Sequence, residues 1–346
     1  MKISLKILTA FFLTLLLFSG CKTSDISSSE NNFAEKFKAK RLKFGDTIGL
    51  ISPASYINDS QLSEAIYNLE KLGFVVKYNP TIKEKYGYLA GNDSARADDF
   101  NKMIADKEID AIIAVRGGYG CARMLPFINY DMIKENPKII IGYSDITSLL
   151  YAIYEKTGLI CFHGPVGTST FNDYSLNHLQ NILLEPKENY KMKNSYLDEN
   201  QIEIINDGIA EGELVGGNLS IVVSMIGTEY NIDSKGKIIF LEEVGEEPYR
   251  IDRMLTQLKQ SGKFENCAGI ALGVFKNCDV KKEDPEFENS LTLQQVFKDV
   301  LGDLKIPVIY GLSFGHIENK FTLPFGVKAR LDTKDKSLTL LEKAVE

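Results

Sequence analysis

From Leu42 onward the chain repeats one pattern: a short apolar run, a turn, then an amphipathic stretch of helical period. Strands separated by whole helices cannot pair as tight hairpins. Each crosses over to a parallel neighbour, so the pattern commits the chain to βα units around a mostly parallel sheet. "DTIGLISPAS" reads as the first strand, and Ser60 as the cap of a helix over "QLSEAIYNLEKLGF" that ends at Gly73. "VVKYNP" is a strand, "SARADDFNKMIAD" a helix, and "IDAIIAVRGGYG" a strand that breaks into glycines. "KIIIGYSD" is the fourth strand, "ITSLLYAIYEKTG" its helix and "LICFHGP" the fifth strand. These elements define an N-terminal domain over residues 42–168.

Residues 169–208 are rich in Asn, Lys, Glu and Tyr with weaker periodicity, and read as a connector over the surface. A second domain over 209–346 opens at "EGELVGGNLSIVVSMIGT". It continues through the strand "GKIIFLEEV", the helix "RIDRMLTQLKQSG", the strand "CAGIALGVF", the helix "LTLQQVFKDVLGDL", the strand "PVIYGLSFGH" and a hairpin around "DTKDKS". A length of 346 residues accommodates two such domains.

Residues 1–20 do not fit the alternating pattern. Lys2 and Lys6 precede an apolar run too short to span a bilayer comfortably, which makes the segment a signal-peptide core. Its ending, "LFSGC", resembles a bacterial lipobox, which implies cleavage before Cys21 and a lipid on that cysteine. Residues 21–41 then serve as a polar tether, and the protein is expected in the cell envelope, anchored to a membrane and facing the periplasm or exterior. Loss of the two lysines takes the formal charge from −7 to −9, and an acidic chain without basic clusters gives no footing for nucleic acid. Cys121, Cys161, Cys267 and Cys278 contain no CxxC pair, so their spacing indicates no metal and assigns no disulfide. No cofactor motif is present: the glycines of "VRGGYGCAR" lack the G-x-G-x-x-G pattern and no Walker lysine follows.

The stretch "IIIGYSDIT" places Ser144 where a strand ends and a helix starts, the position at which open α/β sheets bind ligands. A serine on such a turn exposes its hydroxyl, and the following helix N-terminus offers free N–H groups to developing negative charge. The backbone N–H of Asp145 is one such donor. The plainer use of Ser144 or Asp145 is a helix cap, and a full G-x-S-x-G elbow requires glycine where Ile146 stands. In "VRGGYGCAR", the N–H of Gly117 or Gly118 is placed to complete an oxyanion hole. Cys121 is a rival nucleophile without a flanking elbow.

A serine needs a base to take its proton, and the chain holds three histidines. His178 falls in the connector, where a solvated side chain is the default. His163, in "CFHGP", ends a strand and reads as structural more readily than as a site residue. His316, in "GLSFGHIENKFTLPFG", ends a strand of the second domain beside Gly315 and is the preferred base. A carboxylate must orient it, and "IIFLEEVGEE" supplies Glu242 and Glu243, of which strand alternation sends one toward the site and one away.

Taken in order, "GDTIGLISPAS", "RADDFNKMIAD", "VRGGYGCARMLP", "IGYSDITSLL", "FHGP", "GELVGGNLS", "FLEEVGEEPYRIDRML" and "GLSFGHIENKFTLPFG" resemble the LD-carboxypeptidase family of serine peptidases, also called muramoyltetrapeptide carboxypeptidases. The resemblance implies a flavodoxin-like N-terminal domain, similar to class I glutamine amidotransferases, plus a smaller mixed α/β C-terminal domain. It implies a triad of Ser144, Glu242 and His316, oxyanion donors at the N–H of Gly117 and Asp145, and a homodimer. The implied reaction cleaves the L,D-amide before a C-terminal D-amino acid, releasing D-Ala from peptidoglycan-derived tetrapeptides. An exopeptidase also binds a free carboxylate, for which Arg116, Asn218 and Arg250 are the candidates. Relatives in the family give immunity by cutting peptide–nucleotide antibiotics, and here the absence of tryptophan rules out stacking of a base on an indole. Two readings from other classes stand beside this one: a lipid-anchored muropeptide-binding protein without turnover, and an α/β-hydrolase with its histidine over the same single sheet.

Overall fold

A computed structural model describes residues 35–195, 201–280 and 289–346. The expected signal peptide, Cys21 and the tether through residue 34 lie outside the described residues. The first sheet grows from β1 (Thr47–Ile51), β2 (Val75–Lys77), β3 (Ala111–Ala114), β4 (Ile139–Gly142) and β5 (Phe162–His163). Their order across the sheet is 2-1-3-4-5, all parallel, which is the doubly wound order of a flavodoxin-like sheet with its crevice between β1 and β3. β3 ("AIIA") and β4 ("IIIG") are buried at every residue because the sheet is covered on both faces, so their sequences run apolar instead of alternating.

The connecting helices are α1 (Asp59–Lys71), α2 (Asp93–Ala105), the short α3 (Cys121–Met124) and α4 (Tyr130–Glu135), and α5 (Thr147–Thr157). The cap of α1 is Asn58, not the expected Ser60. The Asn58 side chain accepts from the Gln61 amide at 2.8 Å and Gln61 returns a bond to the Asn58 amide, whereas Ser60 already lies inside the first turn.

The connector expected over the surface is, among its described residues, largely structured, and one side of it is buried. It forms α6 (Asp173–Leu179), prolonged to Leu184 by a wider helical turn that buries Ile182 and Leu183, and two strands, β6 (Tyr190–Lys193) and β7 (Glu203–Asn206). His178 is correspondingly not solvated: it is buried, with Nδ1 2.8 Å from the Tyr190 hydroxyl and its ring between Tyr174 and Phe321. That burial lowers its pKa to about 4 and keeps it neutral.

The rest of the chain supplies β8 (Ile209–Asn218), α7 (Leu219–Ser224), β9 (Ile238–Val244), α8 (Pro248–Gln260), β10 (Gly269–Lys276), α9 (Leu293–Leu301), β11 (Val308–Tyr310), β12 (Leu323–Pro324), β13 (Lys328–Asp332) and β14 (Ser337–Leu340). The second sheet has the order 6-14-13-8-9-10-11-7, with a parallel centre of β8 to β11 and antiparallel flanks. β12 leaves it and pairs antiparallel with β5, Leu323 opposite His163, at the edge of the first sheet. The protein is thus mixed α/β with two sheets, and its C-terminal third crosses back onto the sheet that carries Ser144.

The same crossing builds the core between the sheets. Phe240 of β9 meets Phe325 just beyond β12 at 5.5 Å and His163 of β5 at 5.5 Å, and Phe325 meets Tyr151 of α5 at 5.6 Å. Edge-to-face pairs of this kind each contribute about 0.5–1.5 kcal/mol beyond area burial, so β9 is fixed against β5 and α5 by several contacts at once. Gly217 and Asn218 at the end of β8 also meet the start of α5, where the Asn218 amide donates to Thr147 Oγ1 at 3.2 Å. The single-sheet α/β-hydrolase reading fails on this architecture, because Glu242 lies in β9 and His316 follows β11, both in the second sheet.

Candidate active site

After the last residue of β4 the chain turns sharply, and Ser144 takes φ 63°. A serine in the left-handed region costs about 1–2 kcal/mol, and such strain persists only where packing holds it. Neither Ser144 nor Asp145 caps the helix. The first turn has no side-chain cap, and the Asp145 carboxylate instead accepts from the Cys121 amide at 2.8 Å. Asp145 thereby ties the serine turn to the far end of the glycine loop, a role for which its sequence position gave no signal beyond the helix start.

Gly117 is packed against Ser144: a Cβ on residue 117 would lie 2.9 Å from Ser144 Cβ and 3.2 Å from its Oγ. Only glycine fits there, and the approach brings the loop backbone beside the hydroxyl. Among the described residues the N–H groups of Gly117 and Asp145 have no hydrogen-bond acceptor, so both remain available to an oxyanion.

The partners come from the second sheet. Glu242 and Glu243 lie in β9, buried to 0% and 2% exposure, so neither belongs to a solvated acidic loop. They face apart as alternation requires. Glu243 accepts from Asn218 Nδ2 at 2.9 Å and the Ser220 amide at 2.8 Å, and so holds the start of α7. Glu242 Oε2 accepts from His316 Nδ1 at 2.7 Å. Gly315 makes this contact possible: it has φ 114°, and a Cβ there would stand 3.0 Å from both Glu242 Cβ and Oε2. Burial drives the Glu242 pKa upward, but the hydrogen bond and charge of His316 outweigh it and hold the carboxyl below the usual glutamate range. An ionised Glu242 fixes the proton of His316 on Nδ1 and leaves Nε2 as the basic nitrogen.

Tyr143 joins the two halves. Its ring lies edge-on to His316 at 4.9 Å, so the imidazole is held against the residue next to Ser144. His163 lies on the other side at 6.0 Å, fully inside the protein. Neither of its ring nitrogens has a partner among the described residues, and burial lowers its pKa to about 4, so it is a neutral wall and not a second base. Cys121 is excluded as nucleophile: it is completely buried, and burial with the nearby Asp145 charge holds its thiol protonated. Cys161, Cys267 and Cys278 are likewise free and buried. Among the described residues no group of three or more His, Cys, Asp or Glu is arranged to hold a metal.

The carboxylate-binding candidates fare unequally. Asn218 is inside the site region, but both ends of its amide are occupied, by Glu243 and by Ser220 and Ile221. Arg250 is an exposed residue of α8 paired with Glu247 at 2.6 Å. Arg116 adjoins the glycine loop, half-buried, with Nε donating to the Gly117 carbonyl at 3.3 Å. Sequence reasoning missed Lys320, a buried cation whose Nζ stands 4.6 Å from the centre of the Tyr143 ring.

The strained turn yields a stability test. Glycine adopts φ 63° without the steric cost that alanine bears, so Ser144→Gly is expected to be more stable than Ser144→Ala by about 1 kcal/mol in denaturant unfolding. An alanine variant as stable as the glycine variant would show that the turn relaxes without the hydroxyl.

The chain is similar to known proteins over both of its sheets. Family models described as the LD-carboxypeptidase N-terminal domain and the LD-carboxypeptidase C-terminal domain match residues 48–164 and 211–331. The chain is 39% identical over 313 residues to the probable murein peptide carboxypeptidase of Bacillus subtilis, covering 89% of this chain and 95% of that protein. It is 30% identical over 345 residues to the microcin C7 self-immunity protein MccF of Escherichia coli, covering 88% and 96%. The crystal structure of muramoyltetrapeptide carboxypeptidase from Oxalobacter formigenes superposes with a TM-score of 0.73 at 30% identity, over 85% of this chain and 97% of that one. With both domains matched in order and a relative 39% identical over nearly its whole length, the chain belongs to the LD-carboxypeptidase family.

Proposed function

We propose that this chain is a serine-type LD-carboxypeptidase that removes the C-terminal D-Ala from murein tetrapeptides. The observation that carries the reading is the 2.7 Å contact between His316 and the fully buried Glu242, held edge-on to the residue that precedes a strained Ser144. In the reaction Ser144 Oγ attacks the carbonyl carbon of the L-centre while His316 Nε2 takes its proton. The N–H groups of Gly117 and Asp145 receive the oxyanion. Collapse breaks the C–N bond, His316 returns the proton to the leaving amine of D-Ala, and water then releases the tripeptide from Ser144 by the same route. Relatives named murein peptide carboxypeptidase and murein tetrapeptide carboxypeptidase support this substrate.

A second reading is supported by the likeness to MccF, one structure of which, in complex with glutamyl sulfamoyl guanosine, has a TM-score of 0.82. On that reading the same triad cuts a peptide–nucleotide. A binding protein without turnover is disfavoured by the histidine oriented on a buried glutamate, since binding alone does not require it. We further propose that the protein works as a homodimer, lipid-anchored through Cys21 on the outer side of a membrane, where it meets peptidoglycan or its released fragments.

Incubation of the chain from residue 35 onward with murein tetrapeptide is expected to release D-Ala and tripeptide, by mass spectrometry, with no effect of EDTA. Ser144→Ala is expected to lower the rate by roughly 10⁴–10⁶. Faster turnover of an aminoacyl sulfamoyl nucleoside than of tetrapeptide would favour the second reading, and no turnover of either would refute both. For the anchor, Cys21→Ser in the full chain is expected to move the protein from the membrane fraction to the soluble fraction. An unchanged distribution would refute the lipid at that residue.

A further inference from the structure

We propose that Lys320 is the cation that reads the free C-terminal carboxylate of the substrate, an inference that rests on the carboxypeptidase reading and extends it. An exopeptidase must distinguish a chain end from a chain interior, and the chain end differs by one negative charge. The machinery described so far does not read that charge. Ser144, His316 and the two amides act on the scissile carbonyl. Asn218 has its amide occupied, Arg250 is neutralised on the surface, and Arg116 spends its Nε on the Gly117 carbonyl.

Lys320 has the required chemistry and place. It is 5% exposed, and among the described residues it makes no ion pair with a carboxylate. Its Nζ lies over Tyr143 at 4.6 Å from the ring centre, the ring that contacts His316 on one side and leads into Ser144 on the other. The cation therefore stands about one ring away from the reacting groups. The segment from His316 to β12 carries it back from the second sheet, so Lys320 arrives at the site with the histidine on a short stretch of backbone, anchored where its own amide donates to Ser175 Oγ at 3.0 Å.

A buried ammonium whose partner among the described residues is an aromatic face is poorly solvated. Burial lowers its pKa to about 8, with Lys276 adding to the shift and Glu242 and Glu318 opposing it. A carboxylate arriving beside it relieves that deficit, which favours a substrate that ends there over one that continues. Glu242 does not fill the role, because among the described residues it forms an ion pair with His316 and none with Lys320.

The test compares murein tetrapeptide with the same peptide carrying a C-terminal D-Ala amide, both cut at the same bond. Loss of one partner of a desolvated charge pair costs enough to lower kcat/KM by about 30-fold or more. The wild-type enzyme is expected to prefer the free acid by at least about that factor, and Lys320→Met to bring the ratio of kcat/KM values within about threefold. The ratio is read only from folded, active enzyme; Lys320→Gln gives the same readout should the methionine variant fail to fold. A Lys320 variant that keeps the wild-type preference overturns the proposal, as does loss of that preference in Arg116→Met alone. Equal cleavage of acid and amide by the wild type overturns it as well. If the wild type cuts neither peptide, the carboxypeptidase reading itself fails, and this inference fails with it.

Discussion

The contact between Glu242 and His316 is the interaction on which the site depends. A carboxylate buried to zero exposure is stable only with a partner that favours its charge, and here the partner is an imidazole at 2.7 Å. Glu242 sits near the end of β9, paired with Asn218 of the parallel strand β8, while its neighbours Leu241 and Glu243 pair with β10 on either side of a register shift. His316 reaches it because Gly315 lets the backbone pass where any side chain would strike the glutamate. The pair is therefore a property of the second sheet as a whole, and the orientation of the imidazole follows from the fold.

Ser144 belongs to the other sheet, and the two halves meet through a shared core. β12 returns to pair with β5, Phe240, Phe325 and Tyr151 interlock between β9 and α5, and Tyr143 packs against His316. Asp145 and Gly117 fix the serine turn from the side of the glycine loop. The strain at Ser144 is maintained by this enclosure, which keeps the hydroxyl out of the helix-capping bond that an ordinary serine at a helix start would make.

Much of this was legible in the sequence, for identifiable reasons. Parallel central strands read as unbroken apolar runs, so β3, β4 and β9 were found where "AIIA", "IIIG" and "IIFL" stand. The strand-end serine and the glycine loop followed from the rule that ligands gather at carboxyl ends of such strands. Periodicity alone left Glu242 and Glu243 equivalent, and it was the resemblance to a family that separated them; in the structure each has a different partner. What failed depended on distant chain segments. His178 looked solvated because the aromatic residues that bury it, Tyr190 and Phe321, are brought together only by folding. Nothing in the sequence singles out Lys320 for the same reason: it is buried beside β12, a two-residue strand with no pattern of its own. The cap of α1 was misplaced by two residues because Asn58 and Ser60 are both good caps and only the geometry of the first turn decides.

The central claim is that Glu242, through His316, makes Ser144 a nucleophile. The rate at which a fluorophosphonate labels the protein measures this directly, since Ser144 Oγ displaces fluoride from phosphorus while His316 takes the proton. The account predicts a single adduct on the peptide containing Ser144, and a labelling rate about 10³–10⁴-fold lower in Glu242→Gln, whose amide no longer favours the reactive tautomer of His316. Labelling at the same rate in Glu242→Gln, or an adduct on a residue other than Ser144, would contradict it.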